Sequence, residues 1–139
     1  MIRQATGLLR LQAPRQGLHL ITSSVAEWLG AQDIDTGLLT LLCRHTSASL
    51  LIQENAALGA RRDLEAYFRR IAPESSAYEH DDEGPDDMPA HLRTALTQSQ
   101  LSIPVGGGRM LLGTWQGIYL FEHRSEPPVR EIALHLIGE

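Results

Sequence analysis

The stretch "YEHDDEGPDDMPAHL", from Tyr78 to Leu92, concentrates six carboxylates, two histidines and two prolines in fifteen residues. His80 and His91 stand near its two ends. Neutral imidazole is the commonest metal-ligating side chain, and three imidazoles around an open fourth position make a catalytic metal site. Carboxylates beside such rings accept their N–H groups and fix the tautomer. Without a metal the same carboxylates favour protonated imidazole, so the cluster takes up protons instead. A third histidine, His45, closes the apolar run "LLTLLCRH". His19 and His135 lie in alternating segments and read as surface or packing residues, as does His123 in "EHR". The plainer reading of the acidic stretch is a solvated loop.

Other chemistries fit less well. With Gly84 as the turn glycine of a calcium loop, the twelfth position is Ala90, where a bidentate glutamate is required. "GGGRMLLG" lacks the lysine and spacing of a phosphate-binding loop and reads as a hairpin turn. "HTSAS" places Ser47 two residues from His45, yet no Gly-x-Ser-x-Gly elbow surrounds it.

These residues must be held by a small scaffold. The 139 residues suffice for one domain with its own core, and 42% hydrophobic and 21% charged residues are ordinary for a globular chain. A net charge of −5 argues against nucleic acid or an anionic membrane as partner, since both demand Lys/Arg surfaces. Cys43 is the only cysteine, which excludes an internal disulfide. The N-terminal stretch does not read as a signal peptide, no apolar run approaches membrane length, and the cytoplasm is the expected compartment.

Strands are expected at "LLRLQ" and "LHLIT", joined as a hairpin through "APRQG". "SVAE" reads as a capping box that opens a short helix, ended by Gly30. Leu38–His45 is apolar on both alternating faces and predicts a strand buried on both sides, with "ASLLIQE" as its continuation or neighbour. Ala57, Ala60, Leu64, Tyr67, Phe68 and Ile71 repeat with the period of one helix face, and Pro73 ends that helix. A second helix is predicted over Pro89–Leu96, with Asp86 or Asp87 near its N-cap and His91 close to its start. "LSIPV", "RMLLG", "GIYLFEH" and "VREIALHLI" are four further strands.

Three blocks, "HTSASLLIQENA", "YEHDDEGPDDMPAHL" and "LLGTWQGIYLFEHR", resemble in order and spacing the YjbQ-like proteins, a family labelled secondary thiamine-phosphate synthase enzyme. The likeness covers nearly the whole chain. It implies an α+β fold with a compact β-sandwich or barrel-like core and flanking helices, and assembly into homotrimers with pockets near subunit contacts. It also implies one site drawn from all three blocks: His45, Thr46, Ser47, Glu54, Asn55, His80, His91, Thr114, Trp115, Gln116 and Gly117, with Arg130 matching an arginine near the last strand. Many members carry asparagine where this chain has Asp87.

The label implies condensation of hydroxymethylpyrimidine diphosphate with thiazole phosphate, as a weak or secondary activity. On that reading His45, His80 and His91 hold a divalent, zinc-like metal ion, and His45, His91 and Gln116 are catalytic. Thr46, Ser47, Glu54, Asn55, Asp87, Trp115 and Arg130 bind a small phosphorylated metabolite. Two other readings stand beside it: a metal-dependent hydrolase of a small phosphorylated or acyl substrate, and a non-catalytic protein that binds a small metabolite or metal.

Overall fold

The computed structural model describes residues 1–75 and 77–139. Among them the order of elements is β1 (Arg3–Leu11), β2 (Gly17–Leu20), α1 (Thr22–Gly30), β3 (Gly37–Cys43), β4 (Ala48–Glu54), α2 (Leu58–Ile71), α3 (Asp87–Leu96), β5 (Gln100–Gly106), β6 (Arg109–Met110), β7 (Gln116–Glu122) and β8 (Arg130–Gly138). The expected α+β single domain is the observed one. A five-stranded sheet of order β1-β8-β3-β5-β6 faces a three-stranded sheet of order β2-β7-β4, and all named pairs are antiparallel.

Alternation along the strands builds the core between the sheets. Leu39, Leu41 and Cys43 of β3 meet Ile132, Leu134 and Leu136 of β8 on one side and Leu50, Ile118 and Leu120 on the other. Helix α1 closes one end through Val25 and Leu29. Its Trp28 indole lies where a side chain at residue 7 would stand, so Gly7 is what lets the helix lie on β1. The opposite face of the small sheet carries Leu18, Tyr119 and Phe121, which pack against Phe68 of α2. Phe68 and Phe121 meet edge to face at 5.2 Å.

Several local expectations change. β1 and β2 form no hairpin: β1 pairs with β8 and β2 with β7, so the Pro14–Gly17 turn carries the chain from one sheet to the other. β1 also starts earlier, at Arg3, through residues too polar to announce a strand. Helix α1 begins at Thr22 rather than at Ser24, and Thr22 Oγ1 accepts the Ile118 N–H, so the capping box does not form. β3 is buried on one face only: Leu38 and Leu42 are 42% and 45% exposed on the outer side of the large sheet. The triple glycine does turn a hairpin, with Gly107 and Gly108 at φ 60° and 73° between β5 and β6. No helix among the described residues is long and apolar enough to cross a membrane.

The core holds one histidine. His123 is fully buried just beyond β7, and its Nε2 lies 2.9 Å from Ser49 Oγ. Burial, with the charges of Arg93 and Arg130 nearby, pushes its pKa down to about 3. The folded state therefore binds fewer protons at this ring than the unfolded chain does between pH 6.5 and 3. Stability from this group is complete above pH 6.5 and is lost as the pH falls below it.

Two outcomes are expected from urea unfolding. Leu41→Ala, in the core between the sheets, costs about 2–5 kcal/mol. Between pH 6.5 and 4.5 the wild type loses roughly 1.4 kcal/mol per pH unit more than His123→Gln, whose curve is flatter. Parallel curves would show that His123 titrates normally.

Candidate metal centre

Helix α3 starts at Asp87, earlier than Pro89, and this brings Asp87 and His91 to positions i and i+4 on one face. Asp87 is 4% exposed at its side chain, and its Oδ2 lies 3.3 Å from His91 Nε2. The loop before the helix folds back over this face. His80 Nε2 reaches within 3.1 Å of the same Oδ2 and within 3.1 Å of Glu83 Oε2. The His80 and His91 rings are 6.1 Å apart. One atom from each of His80, Glu83, Asp87 and His91 falls within 4.8 Å of every other.

His91 Nδ1 donates to the Thr46 carbonyl at 2.8 Å, which turns Nε2 toward Asp87. Arg124 donates to Asp87 Oδ1 at 2.6 Å, which leaves Oδ2 to face the two imidazoles. That Oδ2 is buried and makes no hydrogen bond. This buried oxygen lies within 3.3 Å of two imidazole nitrogens, His80 Nε2 and His91 Nε2, without a hydrogen bond. This costs free energy unless a cation is shared. The donor set, two imidazole nitrogens and two carboxylate oxygens, suits a zinc-like divalent ion. The His80 pKa is raised, first by its hydrogen bond to Glu83 and also by the charges of Asp82, Asp87 and Glu83, against the opposing effect of desolvation.

The scaffold for these ligands is a buried polar network at the end of β7. Glu122 is fully buried and Arg130 nearly so. Arg130 Nε donates to Glu122 Oε1 at 2.8 Å and Nη2 to Oε2 at 2.6 Å. Arg130 also donates to Ser47 Oγ at 2.9 Å and to the Ser47 carbonyl at 3.0 Å. That pins the β3–β4 loop and aims the Thr46 carbonyl at His91. Glu122 Oε2 accepts the Arg124 N–H at 3.1 Å as well, and the Arg124 side chain then holds Asp86 Oδ2 at 2.9 Å beside Asp87. Burial alone would raise the Asp86 carboxyl, but the Ser125 N–H and hydroxyl and the Arg124 guanidinium carry its pKa below the usual range.

The sequence-derived site divides. His80, His91 and Asp87 come together, with Glu83 and Arg124 added. His45 stays outside this group: its Nε2 accepts the Glu131 N–H at 2.8 Å, so that lone pair is already used. Burial and then Arg130 lower its pKa, which keeps the ring neutral for this bond. Thr46 and Ser47 act through the backbone and through Arg130 as described. Glu54, Asn55, Trp115 and Gln116 lie at the other end of the β4–β7 pair. Glu54 pairs with Gln116 there, and Ala48 with Glu122 at the near end, six residues or roughly 20 Å away. Glu54 Oε2 accepts the Ala56 and Ala57 N–H groups ahead of α2. Asn55 donates to the Trp115 and Gln116 carbonyls at 2.9 and 3.2 Å. Gln116 Oε1 accepts the Gly113 N–H at 2.8 Å, and Trp115 is 64% exposed. Glu83 carried a signal in sequence, three residues from His80, but Arg124 lies 37 residues from Asp87 and had none.

Comparison with known proteins agrees with this fold. The chain is 44% identical over 138 residues to UPF0047 protein sll1880 of Synechocystis, covering 99% of this chain and 94% of that protein. It is 46% identical over 132 residues to UPF0047 protein YjbQ of Salmonella typhimurium, covering 94% and 96%. A crystal structure of a YbjQ-like protein of unknown function from Sulfolobus solfataricus superposes with a TM-score of 0.92 over 100% of both chains at 23% identity, which speaks to the fold alone. A hypothetical protein from Aeropyrum pernix superposes at 0.87 with 30% identity, over 97% of this chain and 99% of that one. These findings overturn the thiamine-phosphate synthase expectation: the relatives are named only as UPF0047 or YjbQ proteins, and the Sulfolobus protein is described as of unknown function. The geometry gives a physical reason for the correction, because the residues expected to bind the phosphorylated metabolite do not come together: Thr46 and Ser47 lie at one end of the β4–β7 pair, and Glu54, Asn55, Trp115 and Gln116 at the other. Residues 8–139 match the family described as UPF0047 protein YjbQ-like, and the chain belongs to that family.

Proposed function

We propose that this protein binds one divalent, zinc-like metal ion between His80, Glu83, Asp87 and His91. The observation that carries the reading is Asp87 Oδ2: buried, without a hydrogen bond, and within 3.3 Å of two imidazole nitrogens, one on a ring whose other nitrogen is held by the Thr46 carbonyl. A cation there satisfies all three atoms at once. Bound in this way it supplies Lewis acidity toward a neighbouring small molecule or water. The chain's own residues orient it. The Thr46 carbonyl fixes the His91 tautomer, Arg124 holds the second oxygen of Asp87, and Asp82, 3.5 Å from His80 Nδ1, steadies the outer ring.

Assembly into a homotrimer belongs to the same proposal. Its support is the outer face of the large sheet, where Leu8 and Leu42 flank Ala133 across the strands and Leu38 lies beside Ile137. Leu8, Leu38, Leu42 and Ile137 are all at least 37% exposed. A reducing cytoplasm suits the one thiol, Cys43, which is buried and has its pKa raised to about 11 by burial.

Three outcomes are expected. Elemental analysis finds one equivalent of metal; Asp87→Asn or His91→Ala weakens zinc affinity about 100-fold, Arg124→Ala about 10-fold, and His45→Ala by no more than about threefold. Unchanged affinity in both Asp87→Asn and His91→Ala would sink the reading. Glu122→Gln leaves the Arg130 charge buried without its partner and costs about 3–5 kcal/mol of stability. Sedimentation gives a mass three times that of one chain, and Leu42→Asp lowers it.

A further inference from the structure

A cavity of about 240 Å³ opens beside the His80 ring, walled by Ser75, Tyr78, Asp81, Pro85 and Met88. A pocket of about 150 Å³ can hold benzene, so this one has room for a single ring with a short substituent. Its walls divide by chemistry. The Tyr78 hydroxyl donates to the Pro73 carbonyl at 2.7 Å, so its polar end is engaged, and Pro85 and Met88 add apolar surface. His80 is the wall shared with the metal centre: its Nε2 points to Glu83 and Asp87.

The charge around this cavity has one sign. Among the described residues lining it there is an aspartate, Asp81, and no lysine or arginine. Glu79 and Asp82 flank it in the chain. Within the proposed centre, Glu83 and Asp87 balance a doubly charged ion, and Arg124 is spent on Asp86 and Asp87. Among the described residues, no lysine or arginine lines the cavity to offset Asp81, Asp82 and Glu79. A phosphate or carboxylate entering here meets uncompensated negative charge, while a protonated amine meets a partner.

We propose that this cavity binds a small organic molecule with an apolar ring-sized body and a neutral or cationic head, and that it rejects phosphorylated and other anionic compounds. The proposal rests on the metal reading for where the head group ends, at His80. It concerns a different set of side chains, so the two can be tested apart.

The probes are benzylamine, benzyl alcohol and phenyl phosphate, added to zinc-loaded protein carrying ¹³C-methyl methionine. The chain has three methionines, and Met88 alone lines the cavity. Benzylamine is expected to shift the Met88 methyl signal saturably while Met110 stays still, benzyl alcohol to do so more weakly, and phenyl phosphate to need at least about tenfold higher concentration. Asp81→Asn removes the preference of benzylamine over benzyl alcohol without removing either from the cavity. In His91→Ala, whose residue does not line the cavity, the Met88 response to benzylamine persists even though zinc is lost. A Met88 response to phenyl phosphate at the same or lower concentration than benzylamine would overturn the proposal, as would zinc-loaded protein in which no probe moves Met88. Absent zinc uptake with an intact Met88 response would overturn the metal reading alone.

Discussion

One buried carboxylate organises both halves of the candidate centre. Glu122 sits with no solvent exposure and accepts from Arg130 through two hydrogen bonds and from the Arg124 backbone through a third. The Arg130 arm runs through Ser47 to the Thr46 carbonyl and so to the His91 tautomer. The Arg124 arm runs to Asp86 and Asp87. An ion pair taken out of water gains little net stability against an apolar replacement, because desolvation offsets the Coulomb attraction. What this pair contributes is position: it fixes the β3–β4 loop and the start of α3 relative to each other, so that the Thr46 carbonyl meets His91.

The ligands themselves are local and their supports remote. His80, Glu83, Asp87 and His91 span one loop and the first turns of α3, whereas Ser47, Glu122, Arg124 and Arg130 come from three other strand ends. The residues around Trp115, grouped with these in the sequence, serve another end of the same strand pair. Their hydrogen bonds tie the 113–117 turn to the start of α2, and Gly117 is required there because a side chain would collide with Leu20 and Asn55. The exposed indole of Trp115 is left facing outward.

How much of this was legible follows from the range of each interaction. Helix α2 and strands β4, β5, β7 and β8 were readable because period and punctuation are local properties. The one-sided burial of β3 was not: leucine occupies positions on both faces, and only the partner strands decide which face is covered. The supposed hairpin of β1 and β2 failed because both strands find partners from the chain's second half. At the site, His80, His91 and Asp87 were named from composition and resemblance. His45 was named on the same grounds, yet a backbone N–H 86 residues away holds its lone pair, which no local pattern reveals. Arg124 was missed for the same reason.

Strand β8, the last to be made, lies between β1 and β3 in the large sheet. Until it inserts, the first and third strands have no common neighbour, and Arg130 at its start cannot engage Glu122. A growing polypeptide on the ribosome exposes its imidazoles and acids well before the residues that aim them. The aim of the His91 ring therefore waits on β8: until that strand is in place, the imidazoles and acids are present without the contacts that orient them.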